Sequence, residues 1–259
     1  MVFPLEISDL CHTSPWRRRV ALARPLVGVA LFAVTVHIGW WWLTPLVMFA
    51  IFVAVVNVTH DAVHRVLGLG PRGTDWALCF MGLVLLESGH AYRITHLQHH
   101  RRFPHPTDDP EGYPAGMTVL GAVFYGPVFL IRLWWWAWRT GRDRAWLAVE
   151  ACVPILVLAM GLLSFASFPG ILVYVTMAIV GSWVYPLLTV YLPHHDYGDT
   201  PLSQARTLRG RILPAILLEL TYHLEHHLYP QVPSHNLPEL GRRLDPYFAA
   251  SGVQPVRVP

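Results

Sequence analysis

A chain of 259 residues with 54% hydrophobic and only 14% charged positions is too oily for an ordinary water-soluble domain. Its mean hydropathy of +0.40 points to a lipid bilayer as its solvent. The net charge of +3 is small, every basic residue is an arginine, and nothing in it favours nucleic acid. Cys11, Cys79 and Cys152 form no CxxC pair, which excludes a disulfide framework and argues against a thiolate metal site.

Reading from the N-terminus, the basic stretch Pro15-Trp16-Arg17-Arg18-Arg19 precedes an apolar run over 25–43. The run is long and lacks a small-residue cleavage site, so it reads as an anchor and not as a signal peptide. A second run follows over 45–63, separated from the first only by Thr44 and Pro45. Crossing the hydrocarbon core takes roughly 20 apolar residues as helix, and two further runs meet that length, 145–168 and 170–193. Each pair of runs is joined by a short connection, predicting two antiparallel hairpins and every polar segment on one side of the membrane. Neither hairpin turn carries an arginine, so the positive-inside rule puts both termini and the middle of the chain in the cytoplasm of a bacterial-type inner membrane.

Between the hairpins, 75–89 has an apolar core too short to cross and is expected to dip into or lie along the membrane. The segment 117–138 is longer, but Gly126, Pro127 and Arg132 interrupt it, predicting an interfacial helix. A fifth crossing there would separate the histidine-rich segments described next onto opposite faces. After the last crossing, "ILPAILLELTYHLEHH" reads as one short helix running into histidines, and the tail as a short helix followed by irregular chain. The expected fold is one all-α membrane domain over 1–259, with four transmembrane helices in two hairpins. A cytoplasmic helical cap over 60–144 and 194–259 completes it.

The chain has 15 histidines, and their spacing carries the chemistry. "HDAVH" sets His60 and His64 one helical turn apart. "HLQHH" sets His96, His99 and His100 at i, i+3 and i+4, and "HLEHH" repeats that pattern with His223, His226 and His227. His194 and His195 stand where the fourth crossing ends. Isolated histidines such as His12 and His37 read as packed or solvated residues. Three clusters with ligand spacing at the ends of apolar segments read instead as metal donors, since imidazole suits zinc, copper, iron and nickel. Eight or nine donors exceed what one ion uses, so two ions are expected. Zinc takes four ligands or three plus water, whereas iron accepts more and activates dioxygen, which makes a di-iron pair the better account of the count.

"HDAVH", "HLQHH" and "YHLEHH", in this order and among these apolar segments, resemble the three histidine boxes of the membrane fatty acid desaturase superfamily, which includes carotenoid ketolases and hydroxylases. The resemblance covers roughly 25–245. It implies a four-crossing helical fold with a cytoplasmic cap and two irons held by histidines. It also implies oxidation of an unactivated C–H bond of a long membrane lipid with dioxygen as co-substrate and two external electrons. Carried over by position, the metal ligands and catalytic residues are His60, His64, His96, His99, His100, His223, His226 and His227, with His194 the better match to a ninth ligand and His195 the second choice. Asp61, Glu225, Asp196 and Asp108 or Asp109 are candidates to accept hydrogen bonds from ligand imidazoles.

"VYLPHHDYGDTP" and "YHLEHHLYPQVPSHNLPEL" resemble carotenoid ring ketolases and hydroxylases, the leading reading; "HLEHHLYPQVP" also resembles acyl-lipid desaturases, the alternative. Ser234 and His235 stand where ketolases often carry aromatic residues. No haem-binding stretch, rubredoxin-type cysteine pair or glycine-rich dinucleotide fingerprint is present, so an external donor such as ferredoxin with its reductase is expected. A histidine-rich metal transporter is the minor alternative; it would set ligands near the bilayer midplane, where only His37 falls. A zinc hydrolase of the membrane, active without oxygen, is a third.

Overall fold

The computed structural model describes residues 3–259, nearly all helical. Helix α1 spans Pro15–His37 and is capped by Ser14, whose hydroxyl accepts the Arg17 amide at 3.3 Å. It begins ten residues before the expected crossing, because the arginine-rich stretch is helical too. The first turn-around lies over 38–43, earlier than expected. Pro45 is drawn into the first turn of α2 (Thr44–Val63), where its missing N–H costs nothing.

Helix α2 is apolar on every side and accordingly central: 61% of its apolar window is buried, against 17–22% for the other long helices. Ile51, Phe52, Val55 and Val58 pack with Phe32 of α1, Leu78, Phe129 and Tyr185 into the main core. The short α3 (Pro71–Leu85) ends at Leu86, which is left-handed (φ 60°), and α4 (Gly89–Arg102) starts at once, capped by Ser88 on the Ala91 amide at 3.0 Å.

Helix α5 (Val119–Arg139) runs through Gly126, Pro127 and Arg132, a helix where one was expected. Gly126 is where α5 meets the chain after α7: a Cβ there would stand 2.0 Å from the Trp183 carbonyl oxygen. Arg132, itself a good helix former, donates from its guanidinium to Tyr125 Oη at 2.7 Å. Helix α6 (Arg144–Leu163) and α7 (Pro169–Gly181) form the second hairpin. The last apolar stretch continues from α7 through a tight turn and a π-helical turn (Pro186–Tyr191) to the short α8 (Leu192–His194).

The third histidine segment is not one helix. Residues Leu218 and Glu219 are left-handed (φ 49° and 68°) and divide α9 (Ile212–Ile216) from α10 (His223–Leu228). Helix α11 (Leu237–Ala250) follows, and the tail departs from irregular chain in one place. Strands β1 (Leu208–Arg209) and β2 (Val256–Arg257) pair in parallel, a minor exception to an all-α fold. Leu224, Tyr229, Leu237, Leu240 and Phe248 form a second core with Ile7 and Leu10.

Among the described residues, five stretches are long and apolar enough to cross a membrane: Pro15–His37, Trp41–Val63, Val119–Arg139, Arg144–Leu163 and Pro169–His194. Their outward faces carry Leu31, Phe124, Ile131, Ile155, Leu163 and Val180, all exposed. Surface of that kind is stable only against lipid, so the chain is an integral membrane protein.

Candidate metal centre

Helix α2 delivers His60 and His64 from its last turn, α4 delivers His96, His99 and His100, α8 delivers His194, and α10 delivers His223, His226 and His227. All nine imidazoles that the sequence singled out converge. They form two groups, His60, His64, His96 and His226, and His99, His194, His223 and His227; within each group one donor atom per residue lies within 4.8 Å of the others. His100 adjoins the first group, its Nε2 3.1 Å from His96 Nε2 and 3.0 Å from His226 Nε2, and its ring stacks on His227 at 4.3 Å.

The doubled five-residue box now has a geometric reason. In α4 the i,i+4 pair His96 and His100 faces the first group and His99 the second. In α10 the pair His223 and His227 faces the second group and His226 the first. The same motif is used twice with its allotment exchanged, so each group draws on both helices.

The chemistry of these donors fits cations. His96 Nδ1 pairs with Glu111 at 3.0 Å, His99 Nδ1 with Asp109 at 2.9 Å, and His194 Nδ1 with the Gln204 carbonyl at 2.7 Å. An acceptor at Nδ1 fixes the proton there and leaves the Nε2 lone pair directed inward. The inward nitrogens then meet each other: His60 with His226 at 2.9 Å, His99 with His194 at 3.1 Å, His194 with His223 at 2.9 Å. Lone pairs facing at that distance are satisfied by an ion between them. His60 Nδ1, His64 Nε2 and His226 Nδ1 are moreover buried without a hydrogen-bond partner. Burial, and the neighbouring imidazoles, hold His64, His96, His100, His223, His226 and His227 well below the usual histidine range, in the neutral form that ligates metal. Burial acts on His99 in the same sense, but the Asp109 hydrogen bond outweighs it and raises that imidazole.

His195 does not join the groups. Its ring stacks on Tyr191 at 4.6 Å and lies 3.3 Å from Asp196. Of the carboxylates expected to buttress ligands, Asp109 does so. Asp108 is exposed beside His105, and Asp196 is exposed and binds Arg206. Glu225 turns away from the imidazoles to accept from Thr207 Oγ at 2.8 Å and Arg209 Nε at 2.9 Å. Asp61 lies 3.6 Å from His60 Nδ1, too far for a hydrogen bond, and accepts instead from the Ser234 hydroxyl at 2.6 Å. Ser234 thereby gains a reason: a small hydroxyl ties the third histidine segment to α2, where an aromatic ring would not. Glu111 was missed, and only its place in the acidic Asp108-Asp109-Pro110-Glu111 turn hinted at it. Burial pushes its carboxyl up to about 7 against the opposing pull of His99 and the Thr95 hydroxyl.

An apolar cavity of about 270 Å³ ends on His60, His96, His99, His223 and His226, with Phe49, Phe52, Val53, Leu188 and Leu217 among its walls. Tyr92 closes one side, stacked on His96 at 4.8 Å.

The sequence model of the protein family described as fatty acid desaturase matches residues 38–257. Beta-carotene ketolase from Paracoccus sp. (strain N81106 / MBIC 01143) is 30% identical over 84% of this chain and 81% of its own length. The sn-1 oleoyl-lipid 12-desaturase of Anabaena variabilis is 24% identical over 90% of this chain and 80% of its own length. The chloroplastic omega-3 fatty acid desaturase of Sesamum indicum is 24% identical over 91% of this chain and 64% of its own length.

Proposed function

This chain belongs to the fatty acid desaturase family and is an oxidoreductase; from that premise we propose that it hydroxylates or ketolates the ring of a membrane carotenoid at a pair of irons. The observation that carries the reading is the 270 Å³ apolar cavity ending on the histidines, the shape needed to bring a C–H bond of an oily molecule to a metal site. The 30% identity to a beta-carotene ketolase supports the carotenoid. Similarity to an oleoyl-lipid desaturase favours acyl-lipid desaturation as the second reading.

One iron would be held by His60, His64, His96, His100 and His226, the other by His99, His194, His223 and His227. Iron there would supply activation of dioxygen with electrons from an external carrier of the ferredoxin type. The chain's own residues do the rest. Asp109, Glu111 and the Gln204 carbonyl fix the imidazole tautomers and orientations. Phe52, Val53 and Leu217 exclude water and hold the substrate's apolar end against the site.

Parity supports four crossings. His96, His99 and His100 meet His194 and His226, so the number of crossings between α4 and α8 is even. Helices α6 and α7 supply two, and α5 then lies along the interface with Arg132 and Arg139 at its polar end. The turns over 38–43 and 164–168 carry no arginine, which supports a cytoplasmic site and cytoplasmic termini.

Expression in cells that accumulate β-carotene, with pigments and acyl chains analysed from one culture, tests the reading. A more polar pigment is expected. Unchanged pigment with new acyl double bonds would establish the second reading, and no change in either with iron bound would overturn both.

A further inference from the structure

A second polar region lies beside the histidines and is used by none of them. Glu150, one turn into α6, is 1% exposed, and its Oε1 lies 2.6 Å from Nδ1 of His90, a residue with no exposed surface. Its Oε2 accepts the Ser88 hydroxyl at 2.5 Å. On the other edge of the His90 ring, Nε2 has no hydrogen-bond partner and stands 3.7 Å from Asp75 Oδ1, whose side chain is 30% exposed and bound to Arg93. Trp146 stacks flat on that imidazole at 4.8 Å and shields it from lipid.

Ser88 leads into a cavity of about 210 Å³ lined by Glu87, Ser88, Tyr92, Glu150 and Tyr185 among apolar residues of α5 and α6. At roughly 30 Å³ per molecule this admits several waters, and the lining supplies the polar partners they need. Glu87 Oε1 is buried there without a partner. Tyr92 borders both this cavity and the one that ends on the histidines. A row of exchangeable groups thus leads from the surface at Asp75 through His90, Glu150, Ser88 and Glu87 to Tyr92 at the wall of the site.

We infer that this row conducts protons and that Glu87 is the last donor before the site. The inference rests on the proposed oxidation, which consumes protons. Inserting one oxygen atom of dioxygen into C–H releases the other as water, and this takes two electrons from the external one-electron carrier and two protons from solvent. The route runs from Asp75 to His90 Nε2 and leaves His90 Nδ1 for Glu150. Glu87, resting as the carboxylic acid, passes its O–H proton by way of the Tyr92 phenol and is reprotonated across the cavity from Glu150. Tyr92 takes one proton as it gives another and ends unchanged in charge. The titratable neighbours of Glu87 around the cavity are Tyr92 of α4, Glu150 of α6 and Tyr185 after α7; α2 offers only Val55, Val56 and Thr59, and no arginine lines it among the described residues. Burial with no compensating cation pushes the Glu87 carboxyl up to about 8, which keeps a proton on it at neutral pH.

Two measurements test this. In metal-free protein, infrared spectroscopy should show a protonated-carboxyl band that Glu87→Gln removes. Its exchange in deuterated water should slow at least about tenfold in His90→Phe, or in Ser88→Ala should that variant fail to fold. With iron and substrate, Glu87→Gln should keep its metal content and KM, lose roughly a hundredfold in kcat, as expected for loss of a general acid, and recover in Glu87→Asp. An absent band, unchanged exchange, or wild-type kcat in Glu87→Gln would overturn the path. Wild-type protein inert toward both carotenoid and acyl lipid would overturn the oxidation, while the exchange measurement would still decide the path.

Discussion

His99 shows most sharply how a single side chain is set for its work. Asp109 pins one nitrogen at 2.9 Å while the other faces His194 at 3.1 Å, both inside a buried shell. Removing the ring takes a donor from a group of four, so His99→Ala should abolish turnover and lower bound iron; retention of both would remove it from the site. Glu111→Gln and Asp109→Asn leave every donor in place but loosen its aim, and loss of such a partner costs about 10–100-fold in metal affinity. Competition with a chelator should show that loss with folding intact. The boxes pointed to the imidazoles that converge because helical spacing alone aligns i and i+4. Glu111 could not be named, since its pairing with His96 spans a loop whose path no local pattern sets.

At the scale of elements, α4 is held where its three imidazoles need to be by contact with α3. A Cβ on Gly89 would stand 2.2 Å from the Leu78 carbonyl oxygen, a backbone atom that cannot yield. Gly89→Ala should therefore destabilise the protein by about 1–3 kcal/mol, and thermal unfolding of the purified chain would measure it. Helix α5 poses the harder question, because 21 residues of this hydropathy suffice to cross. Single cysteines placed at 116, 141 and 166 of a Cys-free variant decide it by labelling with a membrane-impermeant reagent. Positions 116 and 141 should react from one side and 166 from the other; opposite sides for 116 and 141 would make α5 a crossing. Pro127 lies inside α5, which continues through it. Packing of Gly126 on Trp183 secures the helix there, which propensity does not register.

For the molecule as a whole, two populations of buried titratable groups act on stability in opposite senses. His64, His96, His100, His223, His226 and His227 have folded pKa values below their unfolded value near 6.5, so the protein gains stability from them as pH rises to about that point and loses it on acidification. Glu87 is the reverse. Its folded value of about 8 exceeds the ordinary 4.5, so the unfolded chain sheds this proton first and stability falls as pH rises between the two. Above about pH 6.5 these six histidines are neutral in both states, and the metal-free wild type should lose stability toward pH 8, by at most a few kcal/mol. Glu87→Gln should reduce that slope in denaturation followed by circular dichroism, with Glu111 leaving a remainder, and an unchanged slope would refute the burial of an uncompensated carboxyl.

The amino-acid order alone determined the solvent, the apolar helices and the nine imidazoles, because hydropathy and helical periodicity are local properties of neighbouring residues. Which five rings gather in one group and which four in the other, and the polar row from Asp75 to Tyr92, were decided only by tertiary packing. Each depends on how distant segments are brought together, as His60 and His226 are across 166 positions, and no pattern within one segment carries that distance.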